Sequence, residues 1–405
     1  MVKNAVICGA GKIGKAYLAE ILQNGGYHMT FLVHSDEMTG KLREAGKYTI
    51  FRGSRDEKSV EEVVISDFDA FCTVTEEDLC VKALSDTEHV FLPVYPAACP
   101  DFGRMIGKAI NIRAEKVPED FYNIYMCVNF MDATKTIVDA ILPYLDEKGK
   151  KYFEEKTGVS ETLVGRMCVD ATEEMKKKDP LSVVGGYGDP LKVDKDTYKG
   201  ELPDCEWIES LDRIPARFTY KIWVTNMKHF GVSMYGDYYG YTYVREACAD
   251  ERIEREVRIL AEKEATLGVA YRYSIPVEEI VEGFKKKSDP WETWKNPNSN
   301  DGFARVVFDL RRKLAKNDRV IGPALSCLRS GVKPDALSKI AALAMIYRND
   351  NDPSSVDVHR ILEENGVREV LHEFAGLSED DRDERELMDL IEDQYYILAR
   401  KSDLK

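Results

Sequence analysis

Ala5-Val6-Ile7-Cys8-Gly9-Ala10-Gly11-Lys12-Ile13-Gly14 joins an unbroken apolar run to a G-x-G-x-x-G spacing. That order describes a buried strand turning tightly into a helix. Gly9 permits the turn, Gly11 lets the backbone approach a pyrophosphate, and Gly14 lets the helix pack close to the strand. The helix start, with Lys12 and Ile13, offers unpaired N–H groups and positive dipole density to phosphates. A second apolar run follows at the expected distance and ends Leu32-Val33-His34-Ser35-Asp36. An acidic residue about 20 positions past the glycines normally accepts the ribose hydroxyls, and Asp36 lies about a turn late for that role. His34 and Ser35 are therefore assigned to the adenosine end, where they would also accommodate a 2′-phosphate. Both NAD and NADP remain open as cofactor. Val94, closing the run His89–Val94, is assigned to the same site.

The pattern continues outward from this loop. Strand-like runs begin at Met29, Tyr48, Phe68, His89 and Tyr122 and alternate with helical periodicity, which reads as βαβ units around a largely parallel sheet. Glu161–Val169 and Leu181–Gly185 look like further strands, and Gly186-Tyr187-Gly188-Asp189-Pro190 like a turn. From about Pro215 the texture changes to helical periodicity at 221–234, 243–267, 277–286, 335–347 and 385–400. The expected fold class is α/β: a Rossmann-type parallel sheet domain with extra strands (1–205), followed by a mostly α-helical substrate domain (206–405). The division is placed near Cys205.

Composition narrows the class. The chain has 405 residues, 44% hydrophobic and 32% charged, enough for two ordinary globular domains. A formal net charge of −15 would repel nucleic acid and anionic membranes, so neither is an expected partner. Nine cysteines and six histidines are scattered without CxxC or paired ligand spacing. Reduced thiols are expected, and neither a disulfide framework nor a metal site. The opening residues enter a strand with no basic-then-apolar leader, and no apolar run is long enough to span a bilayer. A cytoplasmic location follows as the expectation.

Lys221-Ile-Trp-Val-Thr-Asn226-Met-Lys-His229 places an ammonium, a carboxamide and an imidazole on one short element. At about 100° per residue in an α-helix, Lys221, His229 and Asn226 fall near 0°, 80° and 140°. One face can present all three. Ordinary helix surface is the alternative for any such triplet. Beside a nucleotide loop, however, the triplet is the equipment for moving a proton to and from a carbinol oxygen.

The K-x4-N-x2-H spacing at Lys221, Asn226 and His229 resembles that of the polyol-specific long-chain dehydrogenases, most nearly their mannitol-1-phosphate 5-dehydrogenase branch. Further likeness is carried, in the same order, by VICGAGKIGKAYLAEIL, by Asn129 in CVNF, by DPLSV from Asp179, by TYKGELP from Thr197, and by RVVFDLRRKLAKNDRVIGP from Arg305. The resemblance spans most of residues 1–347. It implies that Lys221 is the general base for alcohol oxidation and the acid for ketone reduction, given burial and neighbours that lower its pKa. Asn129 and Asn226 would donate to the substrate oxygen as it becomes alkoxide-like. His229 would orient a hydroxyl or Lys221. Hydride would pass directly to the nicotinamide, without a metal to polarise the carbonyl.

Four positions depart from the family pattern: Thr219 and Val128 stand where glutamates are usual, Phe308 where an arginine is, and Tyr95 where a glycine is. Arg305, Arg311, Arg312, Lys313, Lys316 and Arg319 form a basic cluster that composition alone would assign to a solvated helix face. The resemblance draws Arg312, Lys313 and Arg319 towards the substrate, as partners for a phosphate or carboxylate. The aromatic stretch Tyr235–Tyr243 reads as packing more readily than as a sugar platform. The expected activity is NAD(P)-dependent interconversion of a polyol, with mannitol 1-phosphate and fructose 6-phosphate as the leading pair. A sugar-acid oxidoreductase of altronate or fructuronate type and a non-catalytic nucleotide-binding sensor are the alternatives. A small-molecule sugar is the expected partner; one chain suffices for a two-domain site, so a monomer is compatible and an oligomer stays open.

Overall fold

In a computed structural model the chain forms two compact units, Met1–Pro215 and Ala216–Lys405. The structure describes residues 3–53, 59–284, 289–297 and 299–402. Among the described residues the first unit holds twelve strands: β1 Asn4–Cys8, β2 His28–Val33, β3 Tyr48–Gly53, β4 Val60–Ile65, β5 Phe68–Cys72, β6 His89–Leu92, β7 Tyr122–Met126, β8 Thr157–Leu163, β9 Cys168–Asp170, β10 Val183–Gly185, β11 Leu191–Asp194 and β12 Ile208–Leu211.

Eight of them make one sheet in the order β12-β11-β8-β7-β6-β1-β2-β5. Pairing is parallel from β5 through to β8, antiparallel between β8 and β11, and parallel again between β11 and β12. The order of the chain reverses at β1, which has β2 on one side and β6 on the other. Such a switch point opens a crevice at the carboxyl ends of the strands, where open α/β sheets hold their ligands. Both faces of β1 are covered: Ala5 and Ile7 belong to one apolar core, Val6 and Cys8 to the other. Double burial explains why the strand reads as a continuous hydrophobic run with no alternation.

The remaining strands form a second sheet, β4-β3-β10-β9. Tyr48–Gly53 had been expected in the parallel sheet, and it lies here instead, pairing antiparallel with β4 and parallel with β10. Its apolar residues Tyr48 and Ile50 pack in the same core as Tyr17, Leu18 and Ile21 of the first helix. This sheet therefore covers the helix that follows the glycine loop. A buried ion pair between Glu20 and Arg166, shared with Arg52, and the Tyr48 hydroxyl donating to the Lys15 carbonyl at 2.9 Å fasten the two layers. The run expected as one strand over 161–169 is split between β8 and β9, with Gly165 packed against Asp189 at the break. The division of units falls after Pro215 rather than near Cys205, because β12 adds a last strand to the large sheet.

The second unit is helical. Helices at Met227–Tyr239, Glu262–Tyr273, Ile321–Arg329, Asp335–Ile346 and Arg382–Ser402 form its body. The expected helix at 277–286 is seen as Val277–Phe284, its last two residues lying outside the described set. Helices 262–273 and 321–329 approach until a Cβ on Gly268 would meet the Pro323 carbonyl at 2.7 Å, so only glycine fits there. Periodicity over 243–267 overlooked a break: Val244–Cys248 ends before Asp250, whose carboxylate accepts from the Arg252 N–H and starts the next helix. No helix among the described residues is long and apolar enough to cross a membrane.

Candidate active site

The glycine loop sits at the carboxyl end of β1. Gly9 adopts φ +113°, closed to side chains with a Cβ, and a Cβ on Gly14 would lie 2.4 Å from the Gly9 carbonyl oxygen. Around Gly11 a Cβ would meet nothing within 4 Å. The first and third glycines are thus demanded by the protein itself, while the second leaves open space in front of a helix N-terminus. That is the cradle a pyrophosphate requires. Val94, beyond β6, comes within 3.5 Å of a Cβ position on Gly9, lining the same crevice. Lys12 points instead to Asp170 at 2.7 Å, an exposed pair. Ile13 is half-buried and packs against the core.

At the end of β2, His34 is exposed and the Ser35 hydroxyl caps the helix Asp36–Ala45 by accepting from the Met38 N–H at 3.2 Å. Asp36 accepts from the Thr75 hydroxyl at 3.1 Å. Arg43 is engaged by Glu76 at 2.6 Å. Tyr95, the residue replacing a glycine, is 85% exposed and leaves the approach to Gly9 to Val94. Asn129 is exposed on the segment after β7, at the same carboxyl edge of the sheet.

In the second unit, Lys221–Asn226 is a π-helical turn inserted before the α-helix Met227–Tyr239. A turn closed by i→i+5 bonds advances by about 80° per residue, against about 100° in an α-helix. Lys221 and Asn226 consequently draw together from about 140° to about 40°, and His229 returns to within about 20° of Lys221. Burial agrees. Between Thr219 and Gly236 the residues left partly accessible are Lys221, Thr225, Asn226 and His229, and all the others are buried. Thr219, in place of the usual glutamate, is fully buried and shares a 2.8 Å hydrogen bond with the Tyr273 hydroxyl.

His229 is held on two sides. The Trp294 ring stacks on it at 4.4 Å with planes 8° apart, and its Nε2 lies 3.2 Å from Oδ2 of Asp301, too oblique for a full hydrogen bond. Burial would raise the Asp301 pKa, but the adjacent His229 imidazole and the Arg305 guanidinium together hold it well below the usual carboxylate range. Arg305 grips Asp301 in fork fashion, Nε to Oδ1 at 2.8 Å and a terminal nitrogen to Oδ2 at 2.5 Å. Neither Trp294 nor Asp301 was anticipated. The only signal in sequence is their place in a Pro- and Asn-rich stretch that resembles a loop.

The basic cluster disperses. Arg305 serves Asp301, Arg311 stacks on Phe374 at 4.1 Å, and Lys316 pairs with Glu384. Arg312, Lys313 and Arg319 stay together around Asp309 and Asp318, with Arg319 to Asp318 at 2.7 Å and Arg312 to Asp309 at 2.9 Å. Lys313 is 95% removed from solvent, its ammonium on the Phe308 carbonyl; burial first, then the guanidinia of Arg319 and Arg312, push its pKa down to about 7. The backbone there is strained, Asp309 standing at φ +70°. This trio is joined to the Lys221 element from behind, where the Trp223 indole donates to the Asn317 carbonyl at 2.9 Å. The Tyr235–Tyr243 stretch is packing: Tyr235 is buried against Glu256, and Tyr238 donates to the Leu398 carbonyl at 3.0 Å.

A doubly wound sheet with this loop defines the dinucleotide-binding class of protein. Residues 3–197 match the model of the mannitol dehydrogenase Rossmann domain and residues 217–396 that of the mannitol dehydrogenase C-terminal domain. The chain belongs to the mannitol dehydrogenase family, dehydrogenases that act on a polyol CH–OH with a nicotinamide cofactor. Among curated relatives it is similar to a mannitol-1-phosphate 5-dehydrogenase of Caldanaerobacter subterraneus subsp. tengcongensis, 26% identical over 97% of this chain and 98% of that one. Another is the mannitol-1-phosphate 5-dehydrogenase of Geobacillus stearothermophilus, 25% identical over 93% and 96%. Its fold matches the Pseudomonas fluorescens mannitol 2-dehydrogenase solved as a ternary complex with NAD and D-mannitol, with TM-score 0.72, 14% identity, and 99% and 93% of the two chains covered. A D-sorbitol dehydrogenase also matches, with TM-score 0.68, 14% identity, and coverage of 99% and 94%.

Proposed function

We propose that this protein interconverts mannitol 1-phosphate and fructose 6-phosphate, with Lys221 as general acid and base. What supports the reading is that Lys221, Asn226 and His229 are, with Thr225, the residues between 219 and 236 left partly accessible on an otherwise buried element, and that the π-helical turn narrows their angular separation. In the oxidation direction the Lys221 amine takes the proton of the substrate hydroxyl. The Asn226 amide donates to that oxygen as negative charge grows, and His229 orients the neighbouring hydroxyl. Asn129 is proposed as a second amide donor on the strength of its sequence pattern alone. When bound, the nicotinamide supplies the hydride chemistry.

Arg312, Lys313 and Arg319 are proposed to receive the phosphate. The trio exceeds the carboxylates of Asp309 and Asp318 by one positive charge, and Lys313, depressed towards neutrality by burial and by its cationic neighbours, would gain from a dianion placed beside it. The carboxylates Asp36 and Glu37 just after β2 favour the ribose diol of NAD over the 2′-phosphate of NADP, and Arg43, in the last turn of the helix they start, is engaged by Glu76. The names of the curated relatives support the phosphorylated substrate.

The test is a substrate panel, read from the absorbance of reduced nicotinamide, with both cofactors and with ketoses, ketose phosphates and keto-sugar acids. Turnover of fructose 6-phosphate with NADH is expected, and much less with fructose. Turnover confined to keto-sugar acids would make the basic trio a carboxylate site and replace the proposed substrate. Nucleotide binding without turnover of any substrate would point to a sensor.

A further inference from the structure

We infer that Asp301 is a positioning residue that sets the tautomer of His229, leaving the Nδ1 atom of the imidazole as the acceptor. The inference rests on the proposed role of His229. A neutral imidazole carries one N–H, and the nitrogen facing a carboxylate keeps it. Here Nε2 is the nitrogen facing Asp301, at 3.2 Å and buried, so the proton belongs on Nε2 and Nδ1 retains its lone pair. Nδ1 is then able to accept from an ammonium or a substrate hydroxyl, which is the role that orienting a polyol requires.

Three features fix the arrangement. Trp294, parallel to the ring at 4.4 Å, prevents the imidazole from rotating about its own axis out of the plane that meets Asp301. Arg305 neutralises and clamps the carboxylate through two nitrogens, one on Oδ1 and one on the same Oδ2 that faces His229, so that Asp301 stays ionised while 17% exposed. The backbone carrying Asp301 is itself pinned: its carbonyl accepts from the Val244 N–H at 3.0 Å, and Gly302 pairs with Tyr243 in an isolated bridge. Such support behind a ring nitrogen is how enzymes orient a histidine they use.

The test compares wild type with Asp301→Asn and Asp301→Glu, using selectively ¹⁵N-labelled histidine, with His229→Asn to assign the signal. Wild type should show the Nε2–H form at His229. In Asp301→Asn that signal should move towards a mixture of tautomers, with kcat down at least tenfold, unchanged binding of NADH by fluorescence, and partial recovery in Asp301→Glu. An Nδ1–H form in the wild type, or an unchanged His229 signal in a folded Asp301→Asn protein, would overturn the inference. Both spectral readouts are independent of turnover, so a wild type inactive on every polyol would count against the proposed function and leave the tautomer result standing.

Discussion

Lys221 shows how a single residue can be identifiable in sequence and yet depend on local geometry for its company. Read on an ideal α-helical wheel, Asn226 stands well away from it, and only the π-helical turn brings the two onto one stripe. Replacement of Lys221 by Ala should lower kcat by about 10²–10⁴-fold, the usual worth of a general acid–base group. Cofactor affinity, measured by quenching or by calorimetry, should be unchanged, because Lys221 and the glycine loop belong to different units. Retained activity in that variant at any pH would remove the proposed proton route. Lys313 makes the complementary point. Its charge is obvious in the sequence, but nothing there says that it is buried beside two guanidinia and therefore unlike the exposed Arg311 two positions earlier.

Among elements, the helix Asp335–Ile346 illustrates a cap supplied from a distance. Its own N-cap is Pro334, which has no side-chain acceptor, and Glu264 of the helix Glu262–Tyr273 accepts from the Ala336 and Leu337 N–H groups at 3.0 and 2.9 Å. Burial raises the Glu264 pKa to about 7, against the downward pull of those two donors. The unfolded carboxyl titrates near 4.5, so the folded state holds the proton more tightly. Stability from this group is therefore full below about pH 4.5 and is lost as pH rises through about 7. Glu264→Gln should flatten that part of the stability profile, by roughly 2 kcal/mol after allowance for partial exposure, as read from denaturant midpoints between pH 4 and 8. A profile whose slope in this window survives the substitution would show that Glu264 is ionised throughout.

For the molecule as a whole, the cysteines give the sharpest expectation. All nine are free thiols, eight of them buried and Cys168 partly accessible. A thiol reagent should titrate one group at most in the native protein and nine in denaturant, and reductant should leave the melting temperature unchanged. Fast reaction of several native thiols would contradict this packing. At this scale the sequence determined a good deal by itself. The glycine spacing after a doubly buried strand, the change from alternating strands to helical periodicity, and the K-x4-N-x2-H spacing were all legible, because each is a local pattern within a few residues. Tertiary structure decided the rest. Tyr48–Gly53 left the parallel sheet because its pairing partners, β4 and β10, include one more than 120 residues away. Likewise, Trp294 and Asp301 reach His229 from more than 60 residues downstream, across a loop with no periodic signal. Spacing along a chain reports on neighbours in a helix or strand; which carboxylate meets which imidazole, and which lysine loses its water, is set by contacts that form only when distant segments pack.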